Sequence, residues 1–232
     1  MKEAHMRAQS LCVLAVALFS APVFAGRPLT IDDAVPVERG AYEFEAGLEF
    51  SNAPGERHRD LPLGLAYGIA PRLEIGAGWG FHLRDRIEGN SGTVSGLQDF
   101  SLGFKWMPVS TETGFMLALA GGVTFGTASR SKGLGSGDED FDLTAIATQQ
   151  WERLGLDVNV GHTWVGKKYD SSLADNIHYG AALRYALTET WTVVGEVFAD
   201  DLKGSRAEWQ FNTGVQYAVR KNVVLDAALA AD

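Results

Sequence analysis

The sequence predicts an all-β protein, specifically an antiparallel transmembrane up-and-down β-barrel. Three observations carry this prediction: apolar and polar residues alternate along many segments, these segments have about the length that crosses an outer membrane when tilted, and longer polar connections alternate with shorter ones. In an extended strand, alternation turns one face to lipid and the other to water, whereas a helix would scatter both sets around its axis. The pattern therefore favours strands whose two faces meet different solvents.

The segment 40–51, GAYEFEAGLEFS, shows the alternation most clearly. Its even positions from Tyr42 to Phe50 are apolar, and three of its odd positions are glutamates that need water or a partner. Ten further segments alternate in a similar way: 61–70, 73–83, 99–106, 115–125, 140–148, 156–164, 177–187, 191–199, 208–217 and 223–232.

The first 25 residues predict a cleaved export signal. Lys2 and Arg7 form a charged flank, 11–21 is an apolar core, and 23–25 offers small residues for cleavage. This core is far shorter than the ~20 residues of a spanning helix. We therefore expect a mature chain that begins near Gly26.

The composition of the expected mature chain excludes several classes of function. Cys12 is the only cysteine of the chain and would leave with the signal, so disulfides and cysteine chemistry are excluded. Loss of Lys2, Arg7 and Glu3 leaves 18 basic and 28 acidic side chains, a formal charge of −10. Nucleic acid is therefore not expected as a partner.

The expected mature chain divides into a lead-in and a barrel. Residues 26–39 lack periodicity and predict a periplasmic lead-in, and 40–232 form the barrel. Eleven strands are visible, but single-chain barrels of this kind use an even number. Either the division into eleven segments splits or omits a strand, or the last strand is missing at the C-terminus. We favour the second explanation and expect twelve strands.

The connections between the predicted strands alternate in length, which predicts the orientation of the barrel. The longer connections are expected on the side that faces the cell exterior and the shorter ones on the other side. Tryptophans near the strand ends, at 106, 164, 191 and 209, match the aromatic girdles of membrane barrels. The predicted longer connections are 52–60, 84–96, 127–139, 166–175 and 200–206, and the shorter ones are 70–72, 107–114, 151–154, 188–190 and 219–222.

Charged residues on the polar face of the strands are candidates for the barrel lining. Acids outnumber bases among them, so the lumen could favour positive solutes, but any water-filled barrel also needs a polar wall. Both interpretations stay open. The lumen-facing candidates are Glu43, Glu45, Glu49, Glu74, Asp99, Lys105, Asp157, Arg184, Glu196, Glu208 and Asp226.

No catalytic, cofactor or metal site is predicted. No serine lies in a nucleophile motif, although an outer-membrane hydrolase could assemble a triad across strands. The acids within 138–142 could ligate Ca²⁺, but their spacing does not match a calcium loop, which favours a flexible acidic loop. The histidines without metal-ligand spacing are His58, His82, His162 and His178.

Five short motifs lie on or beside the predicted strands: DFSLGFKW (99–106), GGVTFGT (121–127), GSG (135–137), VGHTWVG (160–166) and YGAALRY (179–185). With them, most of the mature chain resembles the outer-membrane barrels of the "MetA-pathway of phenol degradation" or transporter-like family. The chain departs from that family at the C-terminus, where a closing strand with a terminal aromatic residue is usual, and at His162, where an aromatic residue is usual.

The resemblance implies a non-enzymatic barrel that passes small organic, often aromatic, molecules across the outer membrane. The expected partners are outer-membrane lipid and lipopolysaccharide, the outer-membrane insertion machinery and small organic solutes. A surface hydrolase, a structural or adhesive barrel without transport, and a soluble exported sandwich remain as alternatives.

Overall fold

The computed structural model describes residues 13–18, 29–53, 56–86, 92–202 and 207–231. This part of the chain holds antiparallel strands and one short 3-10 helix, Arg130–Lys132. None of its helices is long and apolar enough to cross a membrane. The strands are β1 (Val13–Leu18), β2 (Tyr42–Ala53), β3 (Glu56–Ala70), β4 (Leu73–Asp85), β5 (Val94–Leu97), β6 (Phe100–Ser110), β7 (Phe115–Phe125), β8 (Asp140–Gln150), β9 (Leu154–Trp164), β10 (Asn176–Ala186), β11 (Trp191–Leu202), β12 (Glu208–Arg220) and β13 (Val223–Ala231).

These strands form one closed barrel. The sheet runs in the order β3-β2-β1-β13-β12-β11-β10-β9-β8-β7-β6-β4-β5, and β3 also pairs with β4, which closes the circle. The short strand β5 pairs with the end of β4 and β6 with its first half, so β5 and β6 together fill one position. The barrel thus has twelve positions, and the predicted all-β antiparallel transmembrane barrel is confirmed.

The twelfth position is filled from an unexpected part of the chain. The sequence predicts a missing C-terminal strand, but β1, from the apolar core of the predicted export signal, lies between β13 and β2. All six of its residues pair with β13, and only Leu14 and Ala15 pair with β2. An open edge in lipid would leave backbone groups without partners, which explains why an apolar segment occupies this gap. The predicted cleavage site at 23–26 lies outside the described residues.

The two faces of the barrel wall have opposite polarity. On β6, Leu102 is 44% exposed, whereas the side chain of Lys105, at a position of opposite parity, is 11% exposed. Leu183 and Phe211 are also on the outside, whereas Glu196 is 6% exposed and faces the interior. The apolar face is therefore the outer, lipid-facing one. The four tryptophans at strand ends are all exposed: Trp106, Trp164, Trp191 and Trp209.

The predicted alternation of long and short connections is observed at most positions, but the prediction is wrong for the first connection, between β2 and β3. The sequence predicts a polar loop over 52–60, whereas β2 continues to Ala53 and β3 already begins at Glu56. An antiparallel pair of strands is held by backbone hydrogen bonds, which do not depend on side-chain polarity. Apolar side chains are required only where the strands face lipid, so β2 and β3 can continue as polar strands beyond the membrane. This extension brings polar residues of β3 beside the end of β4.

Residues 29–38 form no strand and lie inside the barrel, as the burial of Ile31, Asp33 and Ala34 shows. The chain then turns at Gly40, with φ of 82°, into β2, and the Gly40 N–H donates to the Gly68 carbonyl at 2.7 Å. A Cβ on Gly68 would lie 2.1 Å from the Glu38 carbonyl oxygen, so only glycine permits this approach. The predicted lead-in is thus, over its described residues, a lumenal segment in contact with the wall.

Candidate functional site

The candidate site is the barrel lumen together with the lumenal segment, residues 29–38. This segment has no strand partner, so its buried backbone N–H groups need acceptors on the wall. Glu196 of β11 accepts the N–H of Thr30 with both carboxylate oxygens, at 2.8 and 2.9 Å, and the N–H of Ile31 at 2.8 Å. The Asn212 side-chain amide also donates to Glu196. One carboxylate therefore holds the first described turn of the lumenal segment.

Two further wall residues hold the rest of the segment. The Ala34 N–H donates to Thr148 Oγ1 of β8 at 2.9 Å, and the Val37 N–H donates to Glu74 of β4. Because these acceptors come from strands on different parts of the barrel, the segment crosses the lumen.

Charged groups link the segment to the wall as well. Lys105 Nζ lies 2.7 Å from Asp32 and 3.9 Å from Glu74, and its side chain is only 11% exposed. Arg184 Nη1 lies 3.8 Å from Asp33. The two predicted lumenal bases thus both face acids of the lumenal segment.

Arg184 also belongs to a buried network within the wall. Its Nε and Nη2 donate to the two Asp157 oxygens at 2.7 and 3.1 Å. Thr148 donates its hydroxyl to Asp157 at 2.7 Å and accepts the Ala34 N–H. Such charge-assisted, two-point pairing is strong and fixes orientation. The network joins β8, β9 and β10 to the lumenal segment.

Apolar contacts complete the packing of the segment. Ala34 packs with Met107, Ala118 and Ile146, all of which are buried. Ile31 packs in a second cluster with Ala182 and Phe198. Ile146, Met107 and Phe198 are thus apolar residues on the inner face of a polar barrel, and the lumenal segment covers them.

Two cavities lie beside the lumenal segment. A cavity of about 510 Å³ is lined by Asp32, Glu43, Glu45, Glu74 and Lys105, among others. A second cavity of about 340 Å³ also touches Thr30 and Asp32 but is more apolar, with Ile31, Ile146 and Phe198 on its walls. The larger cavity is therefore acidic and the smaller one mixed.

The remaining predicted lumenal residues take different positions. Glu49 is half-buried and pairs in register with Asp60, and Asp226 is 3% exposed opposite Gln216. Asp99 and Glu208 lie near the barrel end that carries the longer loops. Asp99 accepts the Ala128 N–H at 2.7 Å, and Glu208 is exposed.

The longer loops 126–139 and 165–175 pack on each other. Asp138 accepts the backbone N–H of Lys168 at 2.5 Å, and Asp140 accepts that of Gly166 at 2.8 Å. The hydrogen bond from the Lys168 backbone holds the pKa of Asp138 below its usual range. Asp138 and Asp140 thus join the two loops, whereas Asp142 lines the larger cavity.

One group of side chains in the described part of the chain could hold a metal ion. His58, Asp60 and Asp85 each offer a ligand atom, and these atoms all lie within 4.8 Å of one another. His82 contacts both of these aspartates. The group lies where the start of β3 meets the end of β4.

Sequence reasoning missed the lumenal segment and this histidine-aspartate group. Asp32 and Asp33 lie in a stretch without periodicity, which gives no sign of where it packs. Ile146, which breaks the alternation of its strand, was a usable signal, since an inward isoleucine needs an apolar cover. The proximity of His58 and Asp85 depends on strand register, which spacing along the chain does not reveal.

Comparison with known proteins agrees with this architecture. A family model described as "Putative MetA-pathway of phenol degradation" matches residues 81–231, which confirms the resemblance seen in the sequence. The chain is similar to the COG4313 outer membrane channel from Pseudomonas putida F1, with 15% identity, a TM-score of 0.52, and coverage of 100% of this chain and 99% of that one. At this identity the similarity shows the fold alone.

A weaker similarity is to the Salmonella typhi OmpF complex with daunomycin, with 8% identity over 96% of this chain and 97% of that one and a TM-score of 0.38. This score is too low to support a conclusion. Comparison with curated proteins gives no match.

Proposed function

Because the chain belongs to the family described as "Putative MetA-pathway of phenol degradation", we propose that it is an outer-membrane barrel that passes small organic solutes, including aromatic ones. Solutes would move through the lumen beside the lumenal segment. The family description and the channel named among the similar structures both support this function.

The observation that carries the proposal is the space left in a polar lumen. Small barrels of eight strands are filled by their own side chains, and barrels of sixteen or more hold an open aqueous channel. This barrel has twelve positions and a segment inside it, yet cavities of about 510 and 340 Å³ remain beside that segment. These volumes suit a molecule the size of one aromatic ring with a few substituents.

The charge of the larger cavity indicates which solutes would pass. Its lining includes five acidic side chains, from Asp32, Glu43, Glu45, Glu74 and Asp142, against the single basic side chain of Lys105. A lumen with excess carboxylate attracts cations and repels anions. We therefore expect neutral and cationic organic solutes to pass more readily than organic anions of the same size.

The outer surface supports an outer-membrane location. Exposed apolar residues form a band around the wall, with tryptophans near the strand ends, and such a band is stable only in contact with lipid. Outer-membrane lipid and lipopolysaccharide are accordingly the proposed environment, and the outer-membrane insertion machinery is the proposed route to it.

The test is permeability of liposomes that contain the refolded protein. Swelling rates would be compared for a neutral phenol, a benzylammonium cation and an aromatic carboxylate of similar size, with empty liposomes as the control. We expect faster entry of the first two. Permeability equal to that of empty liposomes for all three solutes would refute transport and favour a structural barrel.

A second assay separates transport from enzymatic activity. Ester and lipid hydrolysis would be measured for the same preparation and for variants with His82, His162 or His178 replaced. Hydrolysis that disappears with one histidine would assign an enzymatic function, whereas solute entry without hydrolysis supports a channel.

A further inference from the structure

The histidine-aspartate group lies on the barrel wall, away from the residues that contact the lumenal segment. His58 and Asp60 come from β3, and His82 and Asp85 come from the adjacent β4. The group is near the end of the barrel at which β2 and β3 turn, and His58 is 31% exposed while Asp85 is 1% exposed. An ion could therefore reach the buried carboxylate past the His58 ring.

A local change of register creates this group. Asp60 lies opposite His82, whereas Arg57 lies opposite Arg86, so β4 holds one more residue than β3 between these two pairs. This is the geometry of a β-bulge, which re-aims side chains near the end of a strand. The extra residue turns Asp85 to the face that carries His58 and His82. Two β-strands thus present four potential ligands on one face.

The distances within the group suit a small divalent cation. His58 Nδ1 lies 3.1 Å from Asp85 Oδ2, and the potential ligand atoms of His58, Asp60 and Asp85 all lie within 4.8 Å of one another. Ligands at about 2.0 to 2.2 Å from a tetrahedral Zn²⁺ are about 3.3 Å apart. Small side-chain rotations would therefore bring these three atoms into coordinating positions.

Hydrogen bonds orient the two carboxylates around that position. The Arg59 backbone N–H donates to Asp85 Oδ1 at 3.1 Å, which leaves Oδ2 directed toward the histidines. His82 Nδ1 forms a hydrogen bond with Asp60 Oδ1 at 2.8 Å and also lies 2.8 Å from Asp85 Oδ2, so the His82 ring contacts both aspartates. Carboxylate ligands of metals are commonly held by hydrogen bonds of this kind.

We infer that His58, Asp60 and Asp85 form a binding site for a divalent transition-metal ion such as Zn²⁺, with His82 as a positioning residue. The imidazole ligand favours a transition metal over Ca²⁺ or Mg²⁺, which prefer oxygen ligands alone. The two carboxylates lie close together, and a bound cation relieves their mutual repulsion. A water molecule would complete the coordination, as in sites with three protein ligands. The ion would join β3 to β4 at the loop-bearing end of the barrel.

The test is metal binding by the refolded, chelator-treated barrel. Zn²⁺ binding would be followed by titration calorimetry, and Co²⁺ by visible absorption, since four-coordinate Co²⁺ with a mixed nitrogen and oxygen shell gives a distinct spectrum. We expect one Zn²⁺ per chain, competition between Zn²⁺ and Co²⁺, and no competition by equimolar Ca²⁺. Folding of each variant would be checked by its heat-modifiable migration on a gel.

Three variants distinguish ligand, positioning and control residues. Asp85→Asn should abolish stoichiometric binding, and His82→Ala should weaken affinity by about 10- to 100-fold at unchanged stoichiometry. His178→Gln is the matched control, because it removes a histidine of β10 that bonds Thr144 far from this group. Absence of stoichiometric Zn²⁺ binding to the folded wild-type barrel would overturn the inference, as would equal binding by folded Asp85→Asn and His178→Gln.

Discussion

The carboxylate of Glu196 accepts the backbone N–H of Thr30 at 2.8 and 2.9 Å, although the two residues are 166 positions apart in the chain. The same carboxylate accepts the next N–H, that of Ile31. A peptide segment without strand partners would be costly to bury, because each unpaired N–H loses its hydrogen bond to water. Wall acids that replace water as acceptors make the lumenal segment a stable part of the barrel interior.

The first prediction concerns the burial of the lumenal segment. In a Cys12→Ser background, which leaves no other thiol, Ala34→Cys should react slowly with a water-soluble maleimide, because Ala34 is fully buried. Val35→Cys is the matched control, since Val35 is 41% exposed and should react quickly. Mass spectrometry over time gives both rates. Equal, fast labelling of the two positions would mean that the segment leaves the lumen.

The second prediction concerns the buried Arg184–Asp157 pair. Arg184→Met removes the cation but leaves Asp157 buried, which should lower the free energy of unfolding by about 3 to 5 kcal/mol. Guanidinium unfolding in lipid vesicles measures this change.

Its control is Lys167→Met, because Lys167 pairs with Asp175 in an exposed loop at a similar distance of 2.7 Å. Exposed pairs contribute little, so this variant should unfold like the wild type. Equal unfolding curves for Arg184→Met and the wild type would contradict the assigned role of the buried pair.

The third prediction concerns the lipid-facing surface. Leu102→Arg places a charge on the outer face and should destabilise the inserted barrel by about 2 to 4 kcal/mol if it lies near the bilayer midplane. Thr124→Arg is the control at a similar depth, because Thr124 pairs with Ser101 in register and lines the larger cavity. Unfolding in vesicles should therefore separate the two arginines. A greater loss for the Thr124 variant would reverse the assignment of the faces.

The fourth prediction concerns the N-terminus. The charged flank, apolar core and small residues at 23–25 lead us to expect a mature chain that begins near Gly26. Intact-mass measurement of protein from isolated outer membranes gives the answer. Cleavage would remove β1 and open the position between β13 and β2, whereas a mass that includes residues 1–25 would contradict cleavage and keep β1 in the barrel.

The strands of the barrel wall could be predicted from the sequence because the alternation of apolar and polar residues is a local, periodic pattern. Leu102 and Lys105 have opposite parity on one strand, and lipid and water then decide which face each occupies. The period of two does not depend on where the strand ends, so eleven segments could be placed without knowledge of the loops. The loop expected over 52–60 was wrong because polarity beyond the membrane does not end a strand.

The interior is less predictable because it depends on contacts between distant parts of the chain. Nothing near Ala34 in the sequence specifies that its N–H meets Thr148 or that its methyl group meets Ile146. Likewise, Asp85 reaches His58 only because β4 carries one extra residue, and such a bulge has no unique sequence signature. The lining residues could be predicted, but their partners could not.

Single-channel conductance in planar bilayers tests the proposal that solutes pass a polar lumen narrowed by residues 29–38. Glu196→Ala removes the acceptor of two backbone N–H groups of the segment, whereas Glu208→Gln changes an exposed acid near the end of the barrel. We predict a small, cation-favouring conductance for the wild type and for Glu208→Gln, and a larger conductance for folded Glu196→Ala. No conductance in any of the three folded proteins, or the same conductance in all of them, would contradict the proposal.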